Sequence, residues 1–75
     1  MSNVLIDANF MQGGVEIHLV VYQPMGMDVY HVMTNNYYQG QIVNTSKGWK
    51  AYTSFDMLSP MVVDRILEVV KEANK

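Results

Sequence analysis

The chain has no cysteine, so neither a disulfide nor a thiolate-bound metal can stabilise it. Charge is also scarce, because only 16% of residues are charged, against about 25% in a typical domain. The formal net charge of −2 disfavours electrostatic binding of nucleic acid or of an anionic membrane, since such binding rests on Lys and Arg. No apolar run approaches the roughly 20 residues that span a bilayer, and nothing resembles a signal peptide. We therefore expect a soluble, cytoplasmic protein with no membrane partner.

Apolar side chains, in contrast, are abundant: 49% of the 75 residues are hydrophobic. A chain of this length forms one small domain, which buries only about 60% of its unfolded surface and whose core supplies about 3–5 kcal/mol net. Much of the surface therefore stays exposed after folding, and few charged residues are available to occupy it. We expect part of that surface to contact another chain.

Gly13 and Gly14 predict a tight turn between strands at about 3–11 and 15–23. If the turn has two residues, the pairs on one face are mostly apolar: Gln12 with Val15, Phe10 with Ile17, Ala8 with Leu19, and Ile6 with Val21. The opposite face then pairs Leu5 with Tyr22. The turn signal and the hydrophobic pattern agree, which is expected of a sequence that specifies one register.

A second tight turn is predicted at Asn35-Asn36, because asparagine tolerates positive φ and a type I′ turn requires it. It joins strands at about 29–34 and 37–44. A five-residue connection at 24–28 would pair Tyr22 with Tyr30 and Val20 with Val32. The face predicted to lie under a helix then carries Val29, His31, Met33, Tyr38, Gly40 and Ile42. A slip of one residue would exchange the two faces.

After a turn at 45–48, a short fifth strand is predicted at about 49–53, with Trp49 and Ala51 facing the core. Residues 54–58 lead into a helix at about 60–74, for which Ser59 is the N-cap and Pro60 the first residue. An apolar stripe along this helix must pack on the sheet. The sequence thus predicts an α+β fold: a five-stranded antiparallel β-meander with one C-terminal α-helix across one sheet face.

We call the sheet face that the helix leaves uncovered the open face. The register above predicts on it an interaction surface formed by Tyr22, Tyr30, Val32, Tyr37, Gln39, Gln41, Lys50 and Tyr52. One interpretation is a solvated face stabilised by cross-strand pairs. Another is self-association, as a homodimer, through this face or an adjoining edge. A third is a surface for a ligand or for nucleic acid.

Aromatic side chains on an open sheet are typical of proteins that stack single-stranded bases. The order of strands followed by a helix also resembles PUR-type nucleic-acid-binding repeats in outline, although no motif of that family is present. Such surfaces carry a basic stripe, whereas this one offers only Lys50 with Lys47 nearby. A nucleic-acid partner is therefore the alternative hypothesis.

No catalytic, cofactor-binding or metal-binding signature is present. His18 with Asn9 and Asp7 could form an acid-base or metal cluster, but one His and one carboxylate are poor ligands. His31, opposite Gly40, is expected to be a core histidine with a backbone partner, a pH-sensitive or catalytic role being the alternative. We expect a non-enzymatic binding or assembly module without cofactors, either homodimeric or bound to another protein.

Overall fold

The computed structural model describes residues 3–52 and 58–75. Within these two ranges, five strands form one antiparallel sheet in the order β1-β2-β3-β4-β5, and a single helix follows them. This confirms the predicted α+β meander. The predicted end of the fifth strand at Thr53 and the lead-in at 54–57 lie outside the described residues. The bounds are β1 Asn3–Gln12, β2 Val15–Gln23, β3 Val29–Thr34, β4 Tyr37–Thr45, β5 Gly48–Tyr52 and α1 Pro60–Ala73.

Both predicted two-residue turns are confirmed. Gly13 and Gly14 have φ of 58° and 81°, and Asn35 and Asn36 have φ of 50° and 69°. Positive φ at both central residues is what a type I′ turn requires, and its twist matches that of the flanking strands. The strand residues on either side of each turn pair as expected, including Thr34 with Tyr37.

Asn35 also bonds the second turn to β2. Its backbone N–H donates to the carbonyl of His18 at 2.9 Å, and its Oδ1 accepts from the backbone N–H of His18 at 2.8 Å. Its Nδ2 donates to the carbonyl of Glu16 at 3.3 Å. The turn thereby continues the pairing of β2 with β3 beyond the end of β3.

The helix is attached to the sheet at both ends. Ser59 is the N-cap, as predicted: its Oγ accepts from the backbone N–H of Val62 at 3.4 Å, and its own N–H donates to Oε1 of Gln12 at 3.1 Å. At the other end, Nδ2 of Asn74 donates to the hydroxyl of Tyr30 at 3.1 Å. The helix therefore runs from the end of β1 to the beginning of β3.

The core lies between α1 and one sheet face, which we call the helix-covered face. The first hairpin contributes the predicted apolar residues Ile6, Phe10, Ile17, Leu19 and Val21, whereas Ala8, also predicted to lie in the core, is exposed. Trp49 and Ala51 of β5 pack against the core, as predicted. The buried apolar residues are Ile17, Leu19, Val21, Tyr30, Val32, Ile42, Leu58, Ile66 and Val70.

The prediction for the faces of β3 is wrong. Tyr30, Val32 and Thr34, expected on the open face, are only 2%, 0% and 0% exposed. The reason is a one-residue difference in register: β2 pairs Tyr22 with His31 instead of Tyr30. A strand alternates its side chains between faces, so this shift exchanges every residue of β3. Val29, His31 and Met33 consequently lie on the open face, together with Tyr38 of β4, which pairs with Met33.

A β-bulge keeps Ile42 in the core despite this shift. Met33 pairs with Tyr38 but Val32 pairs with Gly40, so Gln39 is an extra residue in β4. The extra residue brings Ile42 opposite Tyr30 on the helix-covered face. Gly40 has φ of 150°, a conformation that glycine adopts more readily than other residues.

A second irregularity lies near the start of β1. Val4 pairs with Tyr22, where Leu5 was predicted, and the register shifts between Val4 and Ile6. Leu5 instead packs against the core. This corrects one pair of the predicted first hairpin.

Candidate interaction surfaces

The structure brings together only half of the predicted interaction surface. Tyr22, Gln41, Lys50 and Tyr52 lie on the open face, as predicted. The other four predicted residues are not part of the open face. Tyr30 and Val32 are buried in the core. Tyr37 pairs with Thr34 and so belongs to the helix-covered side, and Gln39 is the bulge residue. Tyr37 is nevertheless 73% exposed, because it lies at the end of the sheet beside the turn.

A row of paired residues crosses the open face from one edge of the sheet to the other. Each residue pairs directly with the next on the neighbouring strand, so the side chains lie side by side. The row consists of Val4, Tyr22, His31, Gln41 and Tyr52. Tyr22 and His31 make the row aromatic near its middle. Both of its ends, Val4 and Tyr52, are exposed.

His31 is the centre of an aromatic cluster on this face. Its ring makes edge-to-face contacts with Tyr22 and Tyr38, each with ring centroids 5.3 Å apart. Its Nδ1 lies 3.2 Å from the hydroxyl of Tyr22. The prediction of a core histidine with a backbone partner is therefore wrong: His31 is half-buried on the open face, and its hydrogen-bond partner is a phenol.

The charges of the open face are few and divided between its two sides. Nε2 of His18 lies 2.6 Å from Oδ1 of Asp7 on the β1–β2 side, where Glu16 is also exposed. Lys50 lies on β5 at the other side. In residues 3–52 and 58–75 no group of three His, Cys, Asp or Glu side chains is close enough to hold a metal ion. This face is aromatic at its centre and of mixed charge.

An apolar groove lies on the other face, between β1 and α1. The helix leaves β1 incompletely covered, so Ile6 and Phe10 are only half-buried and Ala8 is exposed. Across the groove, Met61 is 81% exposed. We call this the β1 groove; its volume is about 510 Å³, and it is lined by Ile6, Phe10, Leu19, Met61, Val62, Arg65, Ile66 and Val69.

One of the two edges of the sheet, that of β1, borders this groove. Within the part of the chain that the structure describes, β1 has a hydrogen-bonded neighbour on one side only. The pair next to a two-residue turn exchanges both hydrogen bonds, and such pairs then alternate along the ladder. Gln12, Phe10, Ala8 and Ile6 therefore bond to β2. The backbone groups of Met11, Asn9 and Asp7 point outward, to where another strand could pair.

The β1 groove was not predicted from the sequence, although a signal for it was present. Five strands at about 4.8 Å spacing are about 19 Å wide from the first axis to the last, whereas a helix with its side chains is about 10–12 Å across. One helix cannot cover such a sheet. Yet the outer strand β1 carries Ile6, Ala8 and Phe10 on the helix-covered face. Apolar residues beyond the reach of the helix indicate a surface that something else covers.

No protein-family model, curated protein or solved structure matches this chain. In the described ranges no helix is long and apolar enough to cross a membrane.

Proposed function

We propose that this chain is a non-enzymatic assembly module that forms a homodimer through the edge of β1 and the β1 groove. The observation that carries the proposal is the position of the groove, an apolar surface directly beside an edge strand. A second copy supplies a strand that pairs with the edge of β1 and apolar residues that contact the groove. Its own β1 can pair with the outward backbone groups, and its own groove residues then pack beside the apolar ones and bury part of their surface.

The energetics favour such an arrangement. A small core supplies only about 3–5 kcal/mol, so a chain of this size gains much from additional burial. Full burial of a Met side chain contributes roughly 1.5–3 kcal/mol, and Met61 is 81% exposed in the single chain. A homodimer has two such residues, because a two-fold interface uses the same surface twice.

The test is the oligomeric state of a matched pair of variants. Met61→Lys places a charge at the β1 groove, whereas Met25→Lys places the same charge in the loop between β2 and β3. The two methionines are almost equally exposed, at 81% and 77%. Light scattering over a range of concentrations should show a dimer for the unchanged chain and for Met25→Lys. Met61→Lys should raise the dimer dissociation constant about tenfold or more, the effect of about 1.4 kcal/mol.

A monomer at high micromolar concentration for the unchanged chain would contradict the proposal. Equal dissociation constants for the two variants would place the interface away from the groove.

A second candidate function is single-stranded nucleic-acid binding by the open face. It is supported by the Tyr22–His31–Tyr38 cluster, since base–aromatic stacking is worth about 1–3 kcal/mol per base. Lys50 and Lys47 would supply the cations. A labelled oligonucleotide titrated at low salt tests it, because electrostatic binding is strongest there. An unchanged anisotropy would exclude this function, and binding that Tyr38→Ala abolishes would support it.

A further inference from the structure

We infer that the second copy joins in one register: the two β1 strands pair antiparallel with Ala8 opposite Ala8 at the two-fold axis. The result is a continuous sheet of ten strands, five from each copy. This inference rests on the proposed homodimer and specifies which residues meet in it.

Backbone geometry limits the possible registers. Opposed residues of paired strands lie on the same face, and the outward backbone groups of one copy must meet those of the other. In a two-fold arrangement one residue must therefore face its own counterpart. Near the middle of β1 that residue is Asp7, Ala8 or Asn9.

Charge and packing then separate the three registers. If Asp7 faces its own counterpart at the two-fold axis, two carboxylates lie directly opposite each other, which destabilises a strand pair. A centre at Asn9 sets Ile6 of the groove opposite the polar Gln12. A centre at Ala8 avoids both conflicts, because Asp7 then faces Asn9 of the second copy.

The Ala8 register also joins the two β1 grooves. Ile6 and Phe10 line the groove, and in this register each Ile6 faces Phe10 of the second copy. The helix-covered face of the new strand pair is then apolar between Ile6 and Phe10: Ile6 with Phe10, Ala8 with Ala8, and Phe10 with Ile6. The small Ala8 side chains at the axis leave room for the larger residues on both sides.

Single-cysteine variants test the register directly, because the chain has no cysteine of its own. In the Ala8 register, the two Ala8 residues form a pair without hydrogen bonds, with Cα atoms about 4.5 Å apart. That separation is within the range of about 4.4–6.8 Å that a disulfide spans. Ala8 is exposed in the single chain, so Ala8→Cys should fold. Mild oxidation should convert it to a species of twice the mass on a non-reducing gel.

Asp7→Cys and Asn9→Cys are the matched controls. In the Ala8 register each of these residues lies two positions from its own counterpart, about 6.6 Å along the strand and about 8 Å away in total. They should form little disulfide under the same conditions. Met25→Cys measures cross-linking by random collision.

The possible results distinguish a failure of the inferred register from a failure of the proposed homodimer. Faster cross-linking of Asp7→Cys or Asn9→Cys than of Ala8→Cys would overturn the register. A dimer in light scattering with no cross-linking above the Met25→Cys level would also overturn it, while leaving the proposed homodimer intact. A monomer under reducing conditions would overturn both. Amide exchange adds an independent readout, since Asp7 and Asn9 should lose protection on dilution to monomer.

Discussion

The hydroxyl of Tyr30 and the side-chain amide of Asn74 form a hydrogen bond of 3.1 Å that ties the end of α1 to the central strand of the sheet. The same Nδ2 donates to the carbonyl of Val70 at 2.8 Å, so Asn74 also satisfies the last turn of the helix. The ring of Tyr30 makes an edge contact with Trp49, with centroids 5.5 Å apart. Tyr30 thus holds helix and sheet together from inside the core.

Substitutions at Tyr30 should consequently change stability rather than association. Tyr30→Phe removes one hydrogen bond and should lower the free energy of unfolding by about 1 kcal/mol, measured by urea denaturation. Tyr30→Glu should unfold the chain, because it places a carboxylate in a site that is 2% exposed. A folded Tyr30→Glu variant in circular dichroism would contradict the burial of this side chain.

Thr34 offers a stabilising substitution. Its Oγ1 is buried and has no hydrogen-bond partner among the described residues. Thr34→Val replaces the hydroxyl with a methyl group and should raise the free energy of unfolding by about 1 kcal/mol or more, the cost of an unsatisfied buried polar group.

The matched control for Thr34→Val is Thr45→Val, because Oγ1 of Thr45 donates to the carbonyl of Gly48 at 2.7 Å. This second substitution should lower the free energy of unfolding by about 0.5–1.5 kcal/mol. Opposite signs in thermal denaturation would verify the assignment, and a loss of stability in both would refute it.

The bulge in β4 should be sensitive to substitution at Gly40. A side chain at φ of 150° is strained, so Gly40→Ala should lower the free energy of unfolding by about 1–3 kcal/mol. Gln41→Ala, one residue further along the same strand, should change it by less than about 0.5 kcal/mol. Chemical denaturation of both variants measures the difference, and equal effects would mean that the bulge does not depend on glycine.

The two asparagines of the second turn should respond in opposite ways to glycine. Asn36→Gly creates an Asn-Gly turn, the preferred type I′ sequence, and should raise the free energy of unfolding slightly. Asn35→Gly removes two side-chain hydrogen bonds to β2 and should lower it by about 1–3 kcal/mol. Thermal melting of the pair distinguishes the effects, since the backbone conformation suits glycine at both positions.

Short-range features could be read from the sequence. The glycine and asparagine turns, the pairs next to them, and the Ser59 cap depend on neighbouring residues, whose conformational preferences act locally. The fifth strand also has the predicted orientation, with Trp49 inside and Lys50 outside. Half of the predicted open-face surface follows from these local rules.

The face of β3 required the tertiary structure. Both sets of alternate residues in β3 contain apolar side chains, so its own pattern does not choose between Tyr30 and His31 for the core. The choice is made by packing against α1, where Tyr30 reaches Asn74, and the extra residue Gln39 then keeps Ile42 on the same side.

The sequence alone therefore determined the order of the elements, the tight turns and the helix, because each depends on contacts between residues that are near in the chain. Only the tertiary structure decided which aromatic side chains are buried and that the β1 groove stays uncovered. Those features depend on the register between strands and on the width of one helix relative to five strands, and neither is encoded in any single segment.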